Sequence, residues 1–422
     1  FSVLERLGVK KKVDTTEPPP ILNAQDEAAE LPAVGRLLRK EDPNEQPFNI
    51  AINRFPTFGT GEFIRQCPWT LSKPSNKGAC TILARPPPTS GEGVSQWTAI
   101  VVAGHMMAQQ SGCRFLLDYG PNVTVTQVLE PFAGSIDWRM PSDYNCSDLQ
   151  NNCHISSGSY IDKNTLEAFG EISNNGDKKM AAIPNFRSSY RYSVDYVQHR
   201  MNSFHDLEKT LPGFDLATGM ACSLGSLFHL PQSAAQYQPD LFTKLLPTLS
   251  SKDVLVIAVY IRTGRTEVYG TRKEGANVGA RSRAKLVVDC ALQQERILLA
   301  SSSKKSRVVW MVLTDSQDMK YWVPTNYANA NVTTPFGDIP REILTTQSRG
   351  AHTKASIDPS TADFSEAMLD WYLIGESDIV VADSSGPSFG DTAALRTARP
   401  YYKVPRPGKG SVCQEMVPVL KW

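Results

Sequence analysis

VLVIAVYIRTG, residues 254–264, is an unbroken apolar run rich in β-branched side chains that stops abruptly at Arg262, Thr263 and Gly264. A run of this length and composition reads as a strand buried on both faces, as in the middle of a parallel sheet. Its polar end is the C-terminal one, where open α/β sheets place their ligands. An arginine at such an edge needs an anionic partner, because an unpaired cation there is poorly solvated. Its planar fork suits a phosphate or a diphosphate. The plainer alternative is a pair with a structural carboxylate.

The chain has 422 residues, with 44 basic and 43 acidic side chains and a net charge of +1. That length allows two or three domains with proper cores. The charge balance argues against nucleic acid or an anionic membrane surface as a partner. No apolar run approaches the ~20 residues of a membrane-spanning helix. Eight cysteines occur without a CxxC pair, which argues against a zinc or redox motif. Sequons stand at Asn122, Asn145 and Asn331 in polar settings. Together with the even cysteine count, they favour the secretory pathway or the cell exterior. Cys146 and Cys153 flank a polar loop and are plausible partners, whereas Cys113 and Cys290 could each be a buried free thiol.

Residues 1–75 show little periodicity and read as an N-terminal extension, a possible surface for a protein partner. A first domain over 76–250 opens with the strand ACTILA (79–84), a loop carrying GEGVSQ, a helix over 94–110 and the strand CRFLLDY (113–119). This is one β-α-β unit, but without the third glycine of a dinucleotide fingerprint. The clusters NNC, SSGS and SNNGDKK mark 139–187 as an irregular insertion. A second domain covers 251–405 and a tail 406–422. In this second domain the strand at 254 leads to a helix over 283–300 and the strand RVVWMVLT (307–314), which ends in Asp315 and Ser316. A helix at 364–376 then precedes DIVVAD (378–383) and the turn SSGPSFG, which opens a further helix. Three strands thus end in polar residues at one edge: Arg262/Thr263/Gly264, Asp315/Ser316, and Ser384/Ser385/Ser388 with Phe389.

Hydroxyls and amides of SSGPSF at a helix start would cradle a phosphate. Arg262 would add fixed charge, and Asp315 could accept from a ribose or a base amino group. No DxD triplet is present to hold a metal under a diphosphate. Each residue taken singly is also a plausible turn or cap.

The strings IRTG, LTDS and DWYLIGESDIVVADSSGPSFGDTAALR, with GEGVSQ, CRFLLDY and MACSLGSLFHLP in the first half, resemble the fucosyltransferase superfamily of GT-B fold. The nearest flavour is the plant and algal xyloglucan-type enzymes, related to protein O-fucosyltransferases. The likeness runs over residues ~78 to 405. It implies an α/β architecture of two Rossmann-like domains facing across a cleft. It also implies inverting, metal-independent transfer of fucose from GDP-fucose to a glycan or glycoprotein acceptor, in the Golgi lumen or an equivalent compartment. No cofactor beyond the donor is implied. Carried over by position, Arg262 binds the diphosphate, and Asp315 and Ser316 lie near the nucleoside. Ser384, Ser385, Ser388 and Phe389 line the pocket, while Gly93 and Gln96 face the donor sugar. Tyr260 and Arg265 depart from the family, which often has His and Asp there, and the glycine-rich loop departs too. Asp118, Glu92 and Asp137 are the candidates for a general base. The competing reading is a catalytically inactive secreted structural or carbohydrate-binding protein that keeps the fold.

Overall fold

Val254–Ile261, every residue buried, forms the central strand of a seven-stranded sheet in a computed structural model of the chain. The described residues are 81–85, part of 93–105, 114–131, 136–141, 153–155 and 180–182, then most of 223–404, and 413–416. The main gaps in 223–404 are 264–275, 301–304, 354–357 and 384–388. The chain divides into compact units Phe1–Pro32 and Ala33–Trp422, and all described residues belong to the second. The extension 1–75, Glu92, Gln96, Cys113, Asn145, Cys146, Gly264, Arg265, Ser384, Ser385 and Ser388 lie outside the described residues.

The first sheet holds β1 (Thr81–Ala84), β2 (Arg114–Leu117), β3 (Cys153–Ile155) and β4 (Met180–Ala182) in the order β2-β1-β4-β3, all parallel. Strands β3 and β4 fall inside the stretch expected to be irregular. At three residues each they are too short to carry a readable period. The helix expected from 94 is helical at Val94, Ser95, Trp97, Thr98, Val101, Val102 and His105, all buried.

The second sheet adds β5 (Val254–Ile261), β6 (Arg307–Thr314), β7 (Asn331–Thr334), β8 (Gly337–Thr345), β9 (Ile379–Asp383), β10 (Tyr401–Val404) and β11 (Gln414–Met416). Its order is β11-β10-β9-β5-β6-β8-β7. Strands β10-β9-β5-β6-β8 are parallel, with antiparallel β11 and β7 at the two edges. Sequence reading finds β5, β6 and β9 but not the β7–β8 hairpin, whose alternation is blurred by polar, partly exposed residues.

Period two assigns the faces of β5. Leu255, Ile257, Val259 and Ile261 enter a core with Val287, Val288 and Ala291 of α1 (Ala276–Ala300) and Met319 of α2 (Gln317–Tyr327). Val254, Val256, Ala258 and Tyr260 enter the other core, with Phe364, Met368 and Trp371 of α3 (Thr361–Gly375) and Ala393 of α4 (Phe389–Arg396). Trp97, Phe115, Trp138 and Phe228 share that second core. Trp97 meets Phe364 edge-on at 5.4 Å, so the first sheet's helix packs directly on α3. Helix α3 starts three residues before the first apolar position because Ser360 and Asp363 form a reciprocal capping box.

Cys290, a candidate free thiol from sequence, is instead bonded to Cys413, 123 residues away. An amphipathic helix gives no hint of a partner that far along the chain. The bridge ties α1 to the residue that precedes β11.

Candidate functional site

The strand order reverses at β5. The chain moves outward through β6 and β8, then returns to the other side of β5 with β9 and β10. The crevice outside the C-terminal ends of β5 and β9 is therefore the topological switch point. Arg262 leaves β5 at that point, and the segment 384–388 begins there, bounded by Asp383 of β9 and Phe389 of α4.

Arg262 follows Tyr260 in the even parity of β5, on the face shared with α3. Its Nε lies 3.3 Å from Asp315 Oδ2; the arginine side chain is 32% exposed and the aspartate 5%. The other oxygen of Asp315 accepts from the Thr263 amide at 2.7 Å and from the Thr263 hydroxyl at 2.9 Å. Of the two readings of Arg262, the pair with a structural carboxylate is present, and part of the side chain remains exposed at the crevice. With both oxygens on protein donors, Asp315 acts as the anchor that aims the 262–263 turn. Arg283 of α1 steadies the same turn from the other side, donating from Nη2 to the Thr263 carbonyl at 3.2 Å. Spacing alone does not reveal that contact, since residue 283 stands merely among the basic positions of a helix.

Ser316 is the N-cap of α2 and accepts from the Met319 amide at 3.4 Å. Phe389 stacks on Tyr260 with ring centroids 5.3 Å apart. Burial pushes the Tyr260 phenol up to about 12, with Arg262 opposing the shift, so it stays protonated at neutral pH.

Asp370 on α3 is a buried carboxyl that the sequence reading passed over as part of a helix. Burial raises it from 3.8 to about 6 against the pull of Lys320 and of the Thr346 and Ser348 hydroxyls beside it. Its Oδ1 and the Thr346 hydroxyl are buried without a well-aligned hydrogen bond. Its charge is felt by Tyr260, which places it under the same crevice. A period-3.6 count would flag it, as an acid whose neighbours three and four residues away include Ala367, Leu373 and Ile374.

From the first sheet, Asp118 follows β2. Its Oδ1 accepts from the amides of Tyr119 at 2.8 Å and Gly120 at 3.3 Å, and its Oδ2 pairs with Arg85 at 3.0 Å. A carboxylate held on three donors is poorly placed to take a further proton. Asp137 is exposed, and its bonds to Arg139 hold it below the usual carboxylate range. Gly93 is brought against Thr353: a β-carbon there would sit 3.0 Å from the Thr353 hydroxyl. Asn122 and Asn331 are both exposed. Among the described residues no group of three or more His, Cys, Asp or Glu could hold a metal. Also among them, no helix is long and apolar enough to cross a membrane.

No protein-family model matches the chain, and no curated protein matches it by sequence. Similar solved structures include a mutant of Arabidopsis thaliana FUT1 in complex with GDP: 14% identity, 91% of this chain and 87% of that one, TM-score 0.48. NodZ alpha-1,6-fucosyltransferase co-crystallized with GDP is similar at 11% identity over 80% of this chain and 98% of that one, TM-score 0.42. The fucosyltransferase NodZ from Bradyrhizobium is similar at 11% identity over 76% of this chain and 95% of that one, TM-score 0.38.

Proposed function

We propose that this chain is an inverting, metal-independent glycosyltransferase that moves fucose from GDP-fucose to a glycan or glycoprotein acceptor. One observation carries the reading: Arg262, aimed by the buried Asp315, stands at the switch point between β5 and β9. A crevice of that kind takes a nucleotide, and a fixed guanidinium suits its diphosphate. The donor's identity rests on the sequence resemblance of the motifs that surround the crevice.

In this reading the acceptor hydroxyl attacks the anomeric carbon while the bond to the diphosphate breaks. Negative charge grows on the leaving GDP, and Arg262 offsets it without reorganising, because Asp315 already holds it in place. The 384–388 amides and hydroxyls take the remaining phosphate oxygens. The Cys290–Cys413 bridge supports an oxidising compartment, the secretory lumen or the cell exterior.

GDP should raise the thermal midpoint of the full chain, and Arg262→Ala should remove most of that shift. Losing one charge-assisted diphosphate contact costs about 1.5–3 kcal/mol of binding. A parent protein whose midpoint ignores millimolar GDP would falsify the nucleotide reading. A parent that binds GDP but never turns over GDP-fucose would leave a binding protein with this fold.

A further inference from the structure

The helix that begins at Val94 lacks an ordinary cap. The residue before it, Gly93, has no side chain with which to satisfy the first amides. The missing acceptor comes from elsewhere: the Val94 amide donates to the Thr353 hydroxyl at 3.2 Å, across 259 residues of sequence. The Tyr119 hydroxyl, just beyond β2, donates to the carbonyl of the same threonine. Thr353 is buried, and its hydroxyl fills the place where residue 93 would carry a β-carbon.

Thr353 ends a segment that is fastened along its length. Lys320 donates to the carbonyls of Thr346, at 3.1 Å, and Ser348. The Gln347 amide donates to the buried Gln238 at 2.8 Å. Gly350, with φ of +70°, lies so close to the Asp315 backbone that a β-carbon would meet its Cα at 2.7 Å. Residues 350 and 353 are three apart, a reach of at most about 10 Å. One short, well-fastened segment therefore lies against the backbone of the aspartate that aims Arg262 and also caps the helix that begins at Val94.

We infer that Thr353 is a positioning residue: by capping Val94 in place of Gly93, it fixes the Gly93–Val94 turn at a set approach to the Arg262–Asp315 edge. This rests on the proposed transferase reading for its consequence, since that turn is where the donor sugar would be met. A hydroxyl is required rather than bulk. Valine keeps the volume and loses the acceptor, whereas serine keeps the acceptor.

Two readouts on the full chain test this. Hydrogen exchange of a peptide spanning 93–98 should quicken at least about tenfold in Thr353→Val, while exchange of β5 stays as in the parent and Thr353→Ser stays near the parent. Turnover of GDP-fucose should fall at least about tenfold in Thr353→Val, with serine restoring it, while the GDP-induced thermal shift holds. Small misplacements of a positioning element are felt in rate more than in affinity. Unchanged exchange in Thr353→Val, or no rescue by serine, overturns the inference. So does faster exchange with undiminished turnover. If the parent ignores GDP, the nucleotide reading fails on its own, and the exchange measurement alone decides whether Thr353 holds the turn.

Discussion

Asp370 is the residue whose environment makes the most measurable demand on the fold. Its carboxyl keeps its proton to about pH 6, against 3.8 for an exposed aspartate, chiefly because it is buried. Lys320 and Glu366 are the charged neighbours that modulate it, the first lowering and the second raising the value. Between those two values the folded state binds more protons than the unfolded one, so stability falls as pH rises through the window. The full effect is on the order of 3 kcal/mol. His105 works in the opposite direction: burial lowers it to about 3, so its share of stability is lost as pH falls below 6.5. The comparison that isolates Asp370 is the parent against Asp370→Asn, with urea midpoints taken from pH 4 to pH 7. The parent should lose ground to the variant across that range, and parallel curves would show that the carboxyl does not titrate there. Of the candidate residues at the crevice, the positions of Arg262 and Phe389 were legible because strand ends and helix starts announce themselves in sequence. Asp370 and Arg283 were not, since each sits inside a helix and gains meaning only from what packs against it. The base candidates Asp118 and Asp137 show the converse, because a carboxylate's availability depends on donors that spacing does not reveal.

At the level of elements, sequence reading succeeded where one residue type dominated a run. Strands β5, β6 and β9 are nearly continuous Val, Ile, Leu, Ala and Met, and their parallel packing follows from burial on both faces. It missed β3 and β4, three residues each, and the β7–β8 hairpin, whose exposed positions hide the period. It also left Cys290 a candidate free thiol, although the helix carrying it is bridged to Cys413. That bridge closes a loop of 123 residues. Cross-links over loops of this size stabilise by about 2–4 kcal/mol, largely by restricting the unfolded chain. The double variant Cys290→Ser/Cys413→Ser should therefore unfold at lower denaturant than the parent when both are measured without reductant. Equal midpoints for parent and variant would remove the support that the bridge lends to an oxidising compartment.

For the whole molecule, two sheets meet in one shared core. Trp97, Phe228, Phe364 and Trp371 form a continuous chain of ring contacts from the first sheet's helix to α3. Residues 346–353 and Thr353 reinforce that junction on the side of the strand ends. The cystine bond has a further consequence, for how the chain bears load. Tension applied beyond Cys413 reaches the bond and passes into the middle of α1, skipping everything from residue 291 to residue 412. Strands β6, β8, β9 and β10, Asp315, Thr353 and Asp370 all lie in that sheltered interval, whereas Arg262 lies on the path that carries the force. In a pulling experiment on the oxidised chain, those residues contribute nothing to the released length. Removing this bond, in Cys290→Ser/Cys413→Ser, should lengthen the fully extended chain by about 3.6 Å for each residue from 291 to 412, ~440 Å in all. An extension that is the same in parent and variant would mean the shortcut is not there.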